Sequence, residues 1–155
     1  MPIVAPAELL ASLPKGRRVM AFDVGTKRIG LALADPGTRI VSPIEALVRT
    51  QWKQDAPRLA ELIRYWNVGG LVVGLALNMD GSEGASAQRC RSFARSLLQI
   101  ADLPLAFQDE RLSSHAAEDE MIAAGVRPDR RRAALDSAAA ALILRDLFAA
   151  HPLRK

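Results

Sequence analysis

The sequence predicts an α/β domain centred on a five-stranded mixed sheet, three antiparallel strands followed by two parallel additions, flanked by helices. Three observations carry this. Up to Val48 the chain holds three apolar or β-branched runs separated by short turns, the mark of an antiparallel meander. After Trp52 short strands alternate with helix-periodic segments, which implies parallel additions to the same sheet. The length, 155 residues, makes one domain the default and suffices for a proper core. No repeat, low-complexity segment or linker divides residues 1–155.

Pro6 to Leu13 suits a short helix, followed by the turn Pro14-Lys15-Gly16. Val19 to Ala34 reads as a hairpin. An apolar run reaches Asp23, turns through Gly25-Thr26-Lys27-Arg28-Ile29-Gly30 in a connection of about five or six residues, and becomes apolar again. Such continuous apolarity suits a sheet buried on both faces. Asp35-Pro36-Gly37 signals a turn, and Thr38 to Val48, interrupted by Pro43, reads as a third strand near a sheet edge.

From Trp52 to Asn67, Ala56, Leu59, Ile63 and Trp66 recur at helical spacing, and Asn67-Val68-Gly69-Gly70 is expected to end that helix. Leu71 to Leu75 is a short buried strand, followed by a polar, glycine-bearing loop from Asn78 to Gly84. A second long helix places Ala87, Cys90, Phe93, Ala94, Leu97 and Ala101 on one face. Pro104 to Phe107 is a fifth strand running into Gln108-Asp109-Glu110-Arg111. Ser113 or Ser114 begins a helix through Ala124, which Gly125 ends. Arg127-Pro128-Asp129-Arg130-Arg131-Arg132 reads as a basic connector, and Leu135 to Ala149 as a final, well-buried helix.

Half the residues are hydrophobic and a quarter charged, ordinary for a globular protein. The net charge of +4 suits a polyanionic partner without demanding one. Cys90 is the only cysteine, so no internal disulfide forms, and its expected role is a small core residue. No apolar run approaches the ~20 residues that span a bilayer, and the basic residues Lys15, Arg17 and Arg18 follow the first apolar stretch instead of preceding it. A cytoplasmic protein with no signal peptide and no membrane partner is expected. Oligomeric state is not readable.

Three acids stand where packing alone gives little reason for them: Asp23 at the end of the first strand, Glu110 at the end of the fifth, and Asp136 early in the final helix on the face of Ala140, Ile143 and Leu147. Sites in open α/β sheets form outside the carboxyl ends of the strands. Three converging carboxylates repel one another unless divalent cations lie among them. Two such metals can activate water and stabilise the leaving oxygen of a phosphodiester. Each acid also has a bland reading. Asp23 can cap its turn, Glu110 can pair with Arg111, and Asp136-Ser137 looks like a helix N-cap. Lys27 and Arg28, the loop carrying Asn78 and Ser82, and the run with Arg130 and Arg131 all suit phosphate contact, or else are solvated turn and connector residues.

The combination resembles a known family. Asp23-Val24-Gly25-Thr26-Lys27-Arg28-Ile29-Gly30-Leu31-Ala32, Val73-Gly74-Leu75-Ala76-Leu77-Asn78-Met79-Asp80-Gly81-Ser82-Glu83-Gly84, Asp109-Glu110-Arg111-Leu112-Ser113-Ser114 and Leu135-Asp136-Ser137-Ala138-Ala139-Ala140 come in the order of the YqgF family. Its members are RNase H-like proteins described as pre-16S rRNA nucleases and as Holliday junction resolvases. The resemblance spans about Arg18 to Phe148; residues 1–15 form an extension outside it. Ala76 departs from the family's usual proline. The resemblance implies an RNase H-like nuclease with Asp23, Glu110 and Asp136 as both catalytic and metal-binding acids, and Mg²⁺ or Mn²⁺ as cofactor. It implies structured RNA as substrate, the 5′ end of pre-16S rRNA in ribosome biogenesis, with branched DNA at a four-way junction as the rival.

Two other classes compete. Asp-x-Gly also opens sugar-kinase and actin-like domains, but those close two domains over a nucleotide and this length holds one; no P-loop is present either. A non-catalytic ribosome-assembly factor that binds nucleic acid fits poorly with three acids, which repel phosphate unless a cation intervenes.

Overall fold

The computed structural model describes residues 3–110 and 128–152, with the side chains of 128–134 excepted. Strands β1 (Arg18–Val24), β2 (Arg28–Ala34), β3 (Val41–Val48), β4 (Val68–Leu75) and β5 (Leu105–Asp109) form one sheet in the order β3-β2-β1-β4-β5. β1 pairs antiparallel with β2, and β2 with β3; β4 joins parallel to β1, and β5 parallel to β4. The expected meander with two parallel additions is therefore the observed sheet. Helices α1 (Pro6–Ser12), α2 (Trp52–Tyr65), α3 (Ala85–Ile100) and α4 (Pro128–Ala150) flank it. No helix among the described residues is long and apolar enough to cross a membrane.

Strand periodicity divides the side chains between two layers. Met20, Phe22 and Val24 of β1, with Leu71, Val73 and Leu75 of β4, pack against α2 and α3. There Phe93 lies 5.6 Å from Phe22 and 6.0 Å from Trp52, centroid to centroid. Cys90 is in this layer, the core position expected of it. The alternate residues, Val19 and Ala21 of β1, Ala32 and Ala34 of β2, Val72 and Ala106, meet α4 through Ala140, Ala141, Ile143, Leu144 and Leu147. Leu9 of α1 is fully buried in the same layer.

Four boundaries differ from expectation. The hairpin connection is shorter, because Arg28 and Ile29 already pair with β3 as part of β2. The third strand starts at Val41 instead of Thr38; Arg39 has φ 57°, a left-handed turn residue that cannot lie in a strand. Gly69 and Gly70 belong to β4 instead of ending α2. A Cβ on Gly69 would lie 2.6 Å from Arg17 Cβ, and one on Gly70 2.9 Å from Leu13 Cδ2, so the glycines admit the N-terminal segment. The left-handed residue that turns the chain out of α2 is Asn67, at φ 54°.

The last correction is to the basic connector. From Pro128 onward, Asp129, Arg130, Arg131 and Arg132 are helical, and α4 begins a full two turns before Leu135. Proline preorganises a helix start, where its missing N–H costs nothing. The helix expected between Ser113 and Ala124 lies outside the described residues.

α4 is fastened at several points. Ser137 Oγ donates to the Ile44 carbonyl of β3, beside an irregularity in the β2–β3 register at Gly30. At the far end Arg39 Nη1 donates to the carbonyls of Phe148 (3.2 Å) and His151 (2.6 Å), and its guanidinium lies 4.7 Å from the Phe148 ring centroid. A cation on the last carbonyls also favours the helix dipole.

Candidate active site

Asp23 lies on the α4 side of β1, in register with Val19 and Ala21. Its cross-strand partner on β2 is Gly30. A Cβ on Gly30 would overlap the backbone carbonyl of Asp136. The missing side chain is what lets α4 touch the sheet there, and it delivers Asp136 to the neighbourhood of Asp23. Asp136 sits about two turns inside α4, so it is not the helix N-cap.

Glu110 follows β5 directly, and its N–H continues the ladder to the Leu75 carbonyl at 3.0 Å. Period two returns its side chain to the α4 face, the face of Ala106. Gly74 of β4 makes room for it: a Cβ there would lie 2.5 Å from Glu110 Oε2 and 2.5 Å from Ile143 Cδ1.

The carboxyl group of Glu110 donates a hydrogen bond to Asp23. Burial pushes Glu110 up to about 10, and the hydrogen bond to Asp23 and its negative charge push the same way. Burial also raises Asp23; the Glu110 hydrogen bond opposes that, and the Asp136 charge reinforces it. In the metal-free protein Glu110 is thus the carboxyl that burial and its neighbour's charge keep protonated. Asp136 is engaged differently. Arg28 Nε donates to its Oδ2 at 2.7 Å. Among the described residues, no three His, Cys, Asp or Glu side chains are gathered closely enough to hold a metal ion. Asp23 and Glu110 are neighbours, and Asp136 lies within electrostatic reach of Asp23 while bound to Arg28.

The candidate phosphate contacts separate into three groups. Lys27 is exposed at the β1–β2 turn. Arg28, beside it, faces α4 and holds Asp136. Asn78 and Ser82 follow β4 in a loop that is closed on itself. Asn78 Nδ2 donates to Ser82 Oγ at 3.0 Å, Ser82 Oγ donates to Asp80 Oδ1 at 2.6 Å, and Gly81 takes φ 87°. Arg130 and Arg131 ride on the first turn of α4.

Arg49 is a residue that sequence reasoning missed. Its Nη1 donates to the Gly25 carbonyl at 2.8 Å and its N–H to the Lys27 carbonyl at 2.8 Å, bracing the turn after Asp23 from β3. Gly25 completes this turn by accepting the close approach of the Arg28 carbonyl, which a Cβ would meet at 2.7 Å. The only local hint was an arginine just after a strand.

A family model described as "RuvX: Holliday junction resolvase" matches residues 17–150. A protein of Paramagnetospirillum magneticum named "Putative pre-16S rRNA nuclease" is 46% identical over 148 residues, covering 96% of each chain. A relative of the same name from Rhodospirillum centenum is 47% identical over 142 residues, covering 88% of this chain and 76% of its own. Among solved structures, Thermus thermophilus RuvC in complex with a Holliday junction substrate superposes with a TM-score of 0.54 at 14% identity, over 88% of this chain and 96% of that one, a likeness of fold. The family model covers all four motifs from Asp23 to Asp136, and the relatives match over most of their length; the chain belongs to the RuvX (YqgF) family of RNase H-like nucleases.

Proposed function

We propose that the protein is a metal-dependent endonuclease that trims the 5′ end of pre-16S rRNA in the cytoplasm, with Asp23, Glu110 and Asp136 as its catalytic and metal-binding acids. The observation that carries this is the half-buried carboxyl pair of Asp23 on β1 and Glu110 after β5, on either side of β4, with Asp136 brought near Asp23 by Gly30. Two carboxyl groups half-buried side by side are costly to ionise together, and their oxygens are donors of the kind hard divalent cations prefer. Mg²⁺ or Mn²⁺ would be held by these acids, supplying activation of water and charge stabilisation on the leaving oxygen.

The chain's own groups do the rest. Glu110, deprotonated, and Asp23, presented from the strand β1, would supply the carboxylate oxygens that hold such a cation. Lys27 and Arg28 neutralise phosphate beside the scissile bond. Asn78 and Ser82 offer a preformed loop edge after β4, and Arg130 and Arg131 carry the charge track along the start of α4. Such contacts position the nucleic acid without reading its sequence. The relatives' name favours RNA, and the description of the family model favours a four-way DNA junction as the second reading.

The test uses labelled 5′-extended 16S precursor RNA and a four-way DNA junction, each with Mg²⁺, Mn²⁺ or chelator, against wild type and Asp23→Asn. Cleavage of the RNA, lost with chelator and reduced at least about a hundredfold in Asp23→Asn, is expected. Cutting of the junction alone assigns the second reading. Tight binding without cleavage of either would make the protein an assembly factor. Wild-type rates in Asp23→Asn would misplace the site.

A further inference from the structure

Arg28 lies in the site yet is committed to an acid. Its Nε–Oδ2 bond to Asp136 spans 108 residues of sequence and is 2.7 Å long. The bond uses one nitrogen and one oxygen, unlike the two-pronged Arg91–Glu83 pair at 2.6 and 2.8 Å. A guanidinium has five N–H donors, so this contact uses a fraction of its capacity. Both side chains are partly open to solvent, 28% for Arg28 and 24% for Asp136. Ion pairs of that exposure contribute little net stability and are easily exchanged. A strut meant only to hold α4 has better fasteners in Ser137 beside it and in Arg39 at the far end of the helix.

We infer that Arg28 is an exchangeable counter-cation: it occupies Asp136 in the metal-free protein and is handed to a substrate phosphate when a divalent cation takes that oxygen. The inference rests on the site proposed above. Arg28 and the cation compete for the same carboxylate, so each weakens the other there. Release of the guanidinium beside Lys27 adds a phosphate contact that metal-free protein lacks. Metal binding and nucleic-acid binding thereby become positively coupled, and linkage makes the coupling reciprocal.

The test compares wild type, Arg28→Gln, Arg28→Lys and Asp23→Asn. Mn²⁺ affinity is measured by calorimetry. Binding of the labelled precursor RNA is measured by anisotropy across a salt series, with Ca²⁺ as a hard cation of the same oxygen preference and with chelator. Arg28→Gln should bind Mn²⁺ roughly five-fold or more tighter than wild type. It should also lose much of the Ca²⁺-dependent gain in RNA affinity, with a log–log salt slope in Ca²⁺ shallower by roughly 0.7–0.9. Arg28→Lys, which keeps the charge, should fall between the two on both readouts. Equal or weaker Mn²⁺ binding by Arg28→Gln, an undiminished gain in RNA affinity, or no Mn²⁺ binding by wild type would overturn the inference. Asp23→Asn separates the two failures: if it keeps full Mn²⁺ affinity the site itself is wrong, and if it loses affinity while Arg28→Gln behaves as wild type only the role of Arg28 is wrong.

Discussion

The two faces of the sheet are built to different rules. Toward α2 and α3 the strands present Met20, Phe22, Leu31, Leu71 and Val73, met by Leu59, Phe93 and Leu97. Toward α4 they present Ala21, Ala32, Ala34, Ala106 and the two glycines Gly30 and Gly74. Large side chains hold a helix off the sheet and bury much apolar area. Small ones draw the helix in, so that backbone meets backbone at Gly30 and a carboxyl fits over Gly74. The first face supplies stability and the second supplies position. All three acids are on the second.

Three experiments can break or sharpen that division. The largest packing loss is expected from Phe93→Ala, which empties a packed position against Phe22 and Trp52. It should cost about 3–5 kcal/mol in denaturant unfolding, while the specific activity of the folded fraction stays near that of wild type. A comparable loss of specific activity would show that the faces are not separable.

Gly30→Ala should do the reverse. The added methyl has no room against the Asp136 carbonyl, and overpacking costs about 1–3 kcal/mol. Moving Asp136 away from Asp23 should lower activity by up to about a hundredfold at temperatures where the protein remains folded. Wild-type turnover in Gly30→Ala would mean that α4 need not touch the sheet there.

The third experiment concerns pH. Glu110 is raised from an ordinary 4.5 to about 10, so the folded protein binds its proton more tightly than the unfolded chain does. Stability of the metal-free protein should therefore fall as pH rises from about 4.5 toward 10. Glu110→Gln removes that titration, so its unfolding free energy should vary less with pH and exceed that of wild type on the alkaline side. Parallel pH profiles for the two proteins would show that Glu110 is not held protonated.

Much of this was legible beforehand. Continuous apolar runs around Asp23, and strands alternating with helices after Trp52, pointed to an antiparallel meander with parallel additions. What stayed hidden depended on contacts between distant segments. Gly69-Gly70 looked like a helix stop, because nothing local reveals that Arg17 and Leu13 occupy the space beside them. The start of α4 looked like a connector, since a run of arginines carries no apolar period; Pro128 was the signal that pointed the other way. The acids stood out as anomalies, each with a bland explanation, and the N-cap explanation of Asp136 fell only when the helix proved to start earlier. The partners of Arg28 and Arg49 could not be read from spacing at all.

The fastening of α4 by Arg39 also bears on the order of folding. The β1–β2–β3 meander closes through short turns, whereas Arg39 must find Phe148 and His151 more than a hundred residues along the chain. Loop-closure entropy makes such distant contacts late. During synthesis the meander emerges first, with Asp23 in place, and α4 last among the described elements. Catalytic competence should therefore be acquired at the final docking step, which spares the cell a half-folded nuclease. Pulse-labelled hydrogen exchange during refolding would test this: amides of β1 and β2 should gain protection before those of α4, and simultaneous protection would contradict it.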